Sequence, residues 1–582
     1  MFMIFCDDWG MAKRYRPVDR DQAFLFPPDM RDWLSAEHPV HLVIRVVEQH
    51  LDTSALHALR RTGGAGTAGY DPDMLVTVLI WAYAHQVTSS RRIEQLCHTD
   101  VAFRLICAGN LPDHVTFARF RAAFPGPVGS LFAQVLALCA ALGMGRLGVV
   151  ALDGTKIAAS ASKSANRTED KLRKMAAETV ARHGETDAAE DELFGQGRRG
   201  DEVPEDVWSP RDRDGRISAA LAGLERQRAA AGAGHRETCE EFLAGAAAGT
   251  PRMGPPPAGT EVELARMQVE RATAAQQAKI DDWDERNAQS LARAGRGLRN
   301  PPRRPASQHV RVREAQARLQ RAIARQAAAA ARAAEKEKSR KGPGPVRNIT
   351  DPDSRLMPVR GGGFIQGYNA QNVASEDGLI IATCLTQDTG DTTWLKPMTQ
   401  AAEAAAALIT ARQPPATAGS DKPGSDEASG DAWRRTGYRP DGAGGYDGPI
   451  GLLLADAGYC SEDNITTAGP PRLIATGKLR DLERKARAQD GPDGTASPAT
   501  TAMAGLLQTE DGITAYRHRG HISETPHGDI KHNKRFRQLS VRGLAKASAE
   551  WQFTATTANL FKAISTGHLT SQALDNLAAQ AR

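Results

Sequence analysis

Residues 147–156 read LGVVALDGTK and residues 450–459 read IGLLLADAGY. Each is a short apolar run that ends on an aspartate followed by small residues. A run of this length, rich in apolar and β-branched residues, fits a strand buried on both faces. The end of such a strand holds a carboxylate rigidly over a ligand crevice. Asp153 and Asp456 are therefore candidate site residues, each expected at a strand end. Neither is decisive by itself, because many surface loops begin with aspartate.

Upstream, the first 145 residues read as helices. Dense apolar stretches run from 39 to 51 and from 72 to 84, and SSRRIEQL at 89–96 begins like a helix capped by serine. Thr116 is placed to cap another, whose Phe117, Phe120 and Phe124 share one face. That face reads as core in preference to a base-stacking surface, with Arg119 and Arg121 beside it as candidate phosphate contacts. The longest apolar run, 128–144, is shorter than the roughly 20 residues a membrane span needs and reads as a core helix.

Downstream of LGVVALD, a polar stretch leads into Ala/Arg/Glu-rich helical sequence: 170–182, an acidic loop, helix to about 294, a Pro-Arg break at 301–305 and a basic helix to 341. No heptad persists, so a continuous coiled coil is not expected. GGFIQGYNAQNVAS and LIIATCLTQD, separated by SEDG, then read as an antiparallel hairpin. A helix follows through 394–412. The Gly/Ser/Asp/Pro-rich tracts at 413–447 and 490–504 are expected to be disordered.

The third segment, YRHRGHISETPHGDIKHNKRF, carries Glu524 among basic and aromatic residues. Residues 513–546 have a net charge of +6, which fits a phosphate-lined groove. Ser523 can cap a helix whose first turn holds Glu524 and Pro526, and Lys531 lies two turns on along the same face. Three carboxylates without a matching Cys or His set favour a hard ion, magnesium or manganese, over zinc. Two such ions about 3.5–4 Å apart can activate a water or a 3′-hydroxyl for in-line attack on a phosphodiester.

The chain has 582 residues, 41% hydrophobic and 25% charged, which allows several domains and a large core. Its net charge is only +5, but residues 293–347 reach +13 and residues 185–206 reach −7. The basic segment reads equally as a DNA contact, a contact with a second protomer, or a solvated helix. Seven scattered cysteines without a CxxC pair argue against a disulfide framework and a thiolate zinc site, and fit a reducing cytoplasm. MFMIFCDDWG lacks the basic start of a signal peptide, and Met11 is an alternative start.

Together these segments resemble bacterial insertion-sequence transposases of the DDE class, whose catalytic core is RNase H-like. YDPDMLVTVLIWAYAHQVTSSRRIEQLCHTDVAFRLICAGNLPDHVTFARFR is similar to the helical domain that precedes that core. DPDSRLM and GGFIQGYNAQ are similar to the segment around its second strand. The resemblance makes Asp153, Asp456 and Glu524 the catalytic, metal-holding acids. Tyr516, Arg519, Glu524 and Lys531 resemble the family's Tyr-Arg-Glu-Lys signature, whose basic members grip the DNA end. Here Arg519 and Glu524 are separated by four residues, about 140° apart on a continuous helix, and Gly520 is expected to break the helix between them.

The fold implied is α/β: an RNase H-like mixed sheet flanked by helices, an all-helical N-terminal domain, and a large helical, partly disordered insertion after the first strand. The expected boundaries are 1–145 for the helical DNA-binding domain, 146–165 for the first core strand and 166–346 for the insertion. Then come 347–412 for the core hairpin and helix, 413–447 disordered, 448–489 for the second-acid strand, and 490–508 disordered. The signature and closing helices occupy 509–567 and a tail 568–582.

The activity implied is binding of terminal inverted repeats in double-stranded DNA, two-ion (Mg2+ or Mn2+) phosphodiester hydrolysis and strand transfer into target DNA. A homodimer in the bacterial cytoplasm, associated with the nucleoid and without a membrane, goes with that reaction. A metal-dependent nuclease that does not join, and a non-catalytic DNA-binding relic, are the alternatives. His518, His521, His527 and His532 surround Glu524 but read as exposed or DNA-facing, with no ligand role. Asp388 and Asp391 could add a fourth acid, although a turn and a helix N-cap explain them as well. Trp551 reads as core.

Overall fold

In the computed structural model the run at 147–156 lies in the middle of a mixed sheet. The structure describes residues 29–58, 69–178, 213–248, 256–302, 304–338, 346–359, 361–414, 435–440, 446–477 and 497–580. The first ten residues and Met11 lie outside these. In chain order the strands are β1 (Val149–Ala158), β2 (Asn166–Thr168), β3 (Val346–Asn348), β4 (Arg355–Pro358), β5 (Phe364–Ser375), β6 (Ile380–Thr386), β7 (Leu452–Ala455) and β8 (Arg472–Ile474). The main sheet runs β4-β5-β1-β7-β8, with β6 also on β5. β5 and β6 form the expected antiparallel hairpin, β5 runs antiparallel to β1, and β1, β7 and β8 are parallel.

The central strands are buried as their composition requires. Val149, Val150, Ala151 and Leu152 in β1, and all four residues of β7, are inaccessible to solvent or nearly so. β1 departs from expectation in its length. It continues through Asp153 to Ala158 because β5 pairs with it along that whole stretch, whereas β7 pairs only as far as Leu152↔Ala455. Asp153 is thus mid-strand, placed where one neighbour has ended; Asp456 does follow a strand end. Close approach is built in at Gly367, where a Cβ would lie 2.1 Å from the Ile157 carbonyl oxygen.

The described residues form two compact units, one of 1–163 with 354–582 and one of 164–353. In the first, helices Pro39–His50, Pro72–Ala84, Ser90–Thr99, Val101–Cys107, His114–Ala122 and Val128–Ala141 share one hydrophobic core with the sheet and with the closing helix, Leu544–Ser565. Phe117, Phe124 and Trp551 are buried there. Aspartates do much of the capping: Asp71, Asp100 and Asp113 each accept from backbone N–H groups of the helix that follows, worth about 1 kcal/mol apiece. Asp113, and not Thr116, caps the phenylalanine helix, and Ser89 sits at the N-cap of Ser90–Thr99 without a side-chain bond.

Arg121 is no phosphate contact. It is buried, and donates to the Thr88 carbonyl, Ser90 Oγ and Tyr83 Oη. Tyr83 in turn donates to Glu550 of the closing helix (2.6 Å), whose carboxylate also accepts from the backbone N–H groups of Ser540 and Val541. This polar network, within an otherwise apolar core, ties the N-terminal helices to the loop that precedes the closing helix.

The second unit starts and ends on a small ribbon, β2 with β3. Glu169 accepts from Arg173 and Arg228, and Leu172, Ile217, Ala220 and Leu224 make a small core. Its long helices are Arg213–Ala248, Glu261–Ala294 and Val310–Lys338, the last two packed on one another as a hairpin. The tract at 490–508 is not irregular throughout: Pro498–Leu506 is a helix capped by Ser497, with Met503 buried. Most of 413–447 lies outside the described residues, though Tyr438 bridges to Arg472. Among the described residues no helix is long and apolar enough to cross a membrane.

Candidate active site

Helix Glu510–Gly528 is laced to both aspartate-bearing strands. Thr509 caps it, accepting from Gly512 N–H. Tyr516 donates to the carbonyl of Ala455, the last residue of β7 (3.1 Å). One turn on, Arg519 reaches Asp153 Oδ1 at 3.2 Å and Asp456 Oδ2 at 3.6 Å. Beyond the helix, Lys531 donates to Thr155 Oγ1 (2.5 Å) and to the Lys156 carbonyl (2.7 Å) on β1. Residues 516, 519, 523 and 527 recur at helical spacing on the face turned to the sheet.

This arrangement corrects two expectations. Gly520 does not break the helix, which runs through it, and Ser523 caps nothing because it lies buried mid-helix. The roughly 140° between Arg519 and Glu524 therefore stands: Arg519 sits between the aspartates, and Glu524 is exposed with no hydrogen bond or ion pair among the described residues. Its charge still acts on Arg519. Burial works against the Arg519 cation, but Asp153, Tyr516, Asp456 and Glu524 together hold its pKa above the ordinary value. Lys531, expected to face DNA, is half-buried and spends its ammonium on β1; burial lowers its pKa to about 8.

Past Gly528 the helix widens into a π turn, Asp529–Asn533, a feature frequent at functional sites. Pro526, inside the helix, has no N–H to give to the preceding turn.

Of the four histidines, three are exposed and His527 is not. It is buried with Nδ1 3.8 Å from Asp153 Oδ2, and its Nε2 has no hydrogen-bond partner. Burial, aided by the charges of Lys531 and Arg519, pushes its pKa down to about 3, so it stands beside Asp153 as a neutral ring. Asp456 accepts from Gly458 N–H (2.9 Å), and Asp153 from Gly154 N–H (3.0 Å). Burial first, and then the nearby Asp153 charge, raise the Asp456 carboxyl above its usual range, with Arg519 opposing.

Asp391 is the residue that the sequence left undecided. Its carboxylate accepts from Asn369 Nδ2 and Gln371 Nε2, both at 2.7 Å, and lies 3.5 Å from Lys156 Nζ. These partners occupy the face of the sheet opposite Asp153, as the period of two requires. Asp391 nevertheless sits directly behind the acids: a Cβ at Gly154 would lie 2.6 Å from its Oδ1, and one at Gly458 3.3 Å from its Oδ2. Gln371 also accepts from Tyr459 Oη. Asp388 belongs elsewhere, accepting from Trp394 Nε1 (2.8 Å). The alternation of Asn369 and Gln371 in GYNAQN was the available signal for this polar layer.

Among the described residues, only His57, Asp71 and Asp73 gather three or more His, Cys, Asp or Glu ligand atoms within 4.8 Å of one another. In the cleft between β1 and β7 a guanidinium separates the acids instead.

Two family models match the sequence: Transposase domain (DUF772) over residues 28–123 and Transposase DDE domain over residues 484–564. The first covers N-terminal helices and the second the helix with Tyr516, Arg519 and Glu524; Asp153 and Asp456 lie outside both. No curated protein and no solved structure matches the chain. A DDE domain implies an RNase H-like fold, DNA as substrate and use of divalent metal, and the strand order above accords with the first of these. From opposite ends of the sequence the two matches agree, and together they support an insertion-sequence DDE transposase.

Proposed function

We propose that the chain binds the terminal inverted repeats of its element, hydrolyses the 3′ ends and transfers them to target DNA, with Asp153, Asp456 and Glu524 as its catalytic acids. The observation that carries this reading is the meeting of Asp153 and Asp456, from strands about 300 residues apart in sequence, on one arginine of the helix that carries Glu524. In the first step a water oxygen bonds to phosphorus, the bond from phosphorus to the 3′ oxygen breaks, and a 3′-hydroxyl is released. In the second that hydroxyl attacks a target phosphodiester and displaces the target's own 3′ oxygen.

The donor set fits divalent cations of the magnesium or manganese class. It consists of carboxylates, two of them close enough that each disfavours the other's charge, with a single guanidinium to offset them. Asp153, Asp456 and Glu524 would hold two ions, which supply Lewis-acid activation of the nucleophile and neutralise charge on the phosphodiester. Tyr516 fixes the helix to the end of β7, and Lys531 fixes the following turn to β1, so both set the distance between helix and acids. For Arg519 and Lys531 to grip a DNA end, each exchanges its internal partners for phosphate oxygens.

The deciding experiment is magnesium-dependent cleavage and joining on a plasmid carrying the DNA that flanks the gene, with Glu524→Gln beside the wild type. Nicks at the element ends and joined product from the wild type alone are expected. Cleavage without joining would make the chain a nuclease. Binding of the ends by both proteins with no cleavage by either would make it a DNA-binding relic.

A further inference from the structure

The hairpin of the second unit segregates its charge. Residues 261–285 carry seven acidic and three basic residues, whereas residues 286–313, its looped end, carry eight arginines and no acid. The helix Glu261–Ala294, at 34 residues, is roughly 50 Å long, so the two kinds of charge are well separated along it. The acids nearest the end neutralise only the arginines nearest them: Asp282 pairs with Arg286, and Asp284 with Arg304, whose guanidinium also lies 5.7 Å from the Trp283 ring centroid. Arg293, Arg296, Arg299, Arg311 and Arg313 are exposed, and their side chains have no acidic or hydrogen-bonding partner among the described residues.

The looped end is also built. Gly295 ends the helix in the left-handed conformation, at φ +64°. Leu298 N–H then donates to Asn287 Oδ1 (2.7 Å) and Ser290 Oγ to the Arg296 carbonyl (2.8 Å), folding the chain back on its own helix. Around the short 3-10 turn Ala306–Gln308, residues Arg304, Ser307, Gln308, Arg313 and Gln316 line a cavity of about 700 Å³. Guanidiniums beside a polar hollow suit tetrahedral, doubly accepting anions such as phosphodiesters.

We propose that this end of the hairpin binds the sugar-phosphate backbone of double-stranded DNA, a second DNA contact independent of the acids in the cleft. The inference rests on the transposase reading. Phosphates supply the counter-charges that these guanidiniums lack within the protein, and release of the condensed cations of the DNA drives the association. Such contacts carry no sequence information, so they serve DNA of any sequence. Leu291, Leu298 and Val310, exposed at the same end, point to the rival occupant, a second copy of the chain.

The test uses the full chain and a fluorescent random-sequence 30-base-pair duplex, titrated by anisotropy over a range of salt concentrations. In the triple variant Arg296→Gln, Arg299→Gln, Arg313→Gln, the slope of log affinity against log salt is expected to flatten by about 0.9 for each phosphate no longer neutralised. The corresponding triple lysine variant should keep most of the slope. Unchanged affinity and slope in a glutamine variant that melts like the wild type would overturn the proposal. If that variant instead sediments as a smaller species without DNA and its slope is unaltered, the end is a protomer interface and the proposal fails. A wild type that binds no DNA would overturn the transposase reading as well, which separates the two failures.

Discussion

The arginine of the cleft and the arginines of the hairpin end have the same side chain and opposite circumstances. Arg519 is 14% exposed and lies between two carboxylates, while Arg296, Arg299 and Arg313 are exposed and unpaired. In the cleft, burial strengthens each charge interaction and makes every unbalanced one expensive, so charges there come with partners. At the hairpin end, water screens the charges, and an unpaired cation costs little until a polyanion arrives. A count of basic residues along the chain treats the two alike; their surroundings hold one between carboxylates and leave the other open to solvent.

The difference can be broken in several ways. The largest expected effect belongs to the cleft: Asp153→Asn and Asp456→Asn should each reduce magnesium-dependent cleavage by on the order of 10³-fold or more, with the salt slope of DNA binding unchanged. A slope that moved with either aspartate would merge the two regions into one site. In stability the contrast is with the buried network. Glu550→Ala strands Tyr83, Arg121 and two loop N–H groups, and should cost about 3–5 kcal/mol in denaturant unfolding, against within about 0.5 kcal/mol for the hairpin triple.

Asp391→Asn sharpens the role of the layer behind the acids. It removes the charge that faces Lys156 while keeping the shape, and activity is expected to fall about 10–100-fold with the melting temperature nearly kept. Activity equal to wild type would reduce Asp391 to a turn residue. The smallest effect is expected at Lys531. If its ammonium serves β1, Lys531→Met lowers turnover yet leaves the salt slope alone; flattening of about 0.9 would restore it as a phosphate contact.

The parts of the fold set by local pattern were legible. The apolar runs of β1 and β7, the β5–β6 hairpin with its SEDG turn, and the core helix at Val128–Ala141 follow from periodicity and turn chemistry, which act over a few residues. The fold departs from local pattern where distant partners intervene. β1 outlasts its apolar run because β5 continues to pair with it. Gly520 stays helical because the helix is tied to the strands on either side of it, through Tyr516 and, past the helix end, Lys531. Likewise Arg121, a candidate phosphate contact by its place beside the phenylalanine face, finds its partners at Tyr83, Thr88 and Ser90.

Most elements and their order, and the residue types gathered in YRHRGHISETPHGDIK, are legible in the sequence, because propensity, capping and apolar periodicity are short-range. It also named Asp153, Asp456 and Glu524 as candidates. Only the tertiary structure decided which charges are neighbours: that Arg519 separates the two aspartates, that His527 stands neutral against Asp153, that Asp391 backs Gly154 and Gly458, and that Lys531 is turned inward. Charge interactions depend on distance and burial, and both are set by strand pairing between residues hundreds of positions apart.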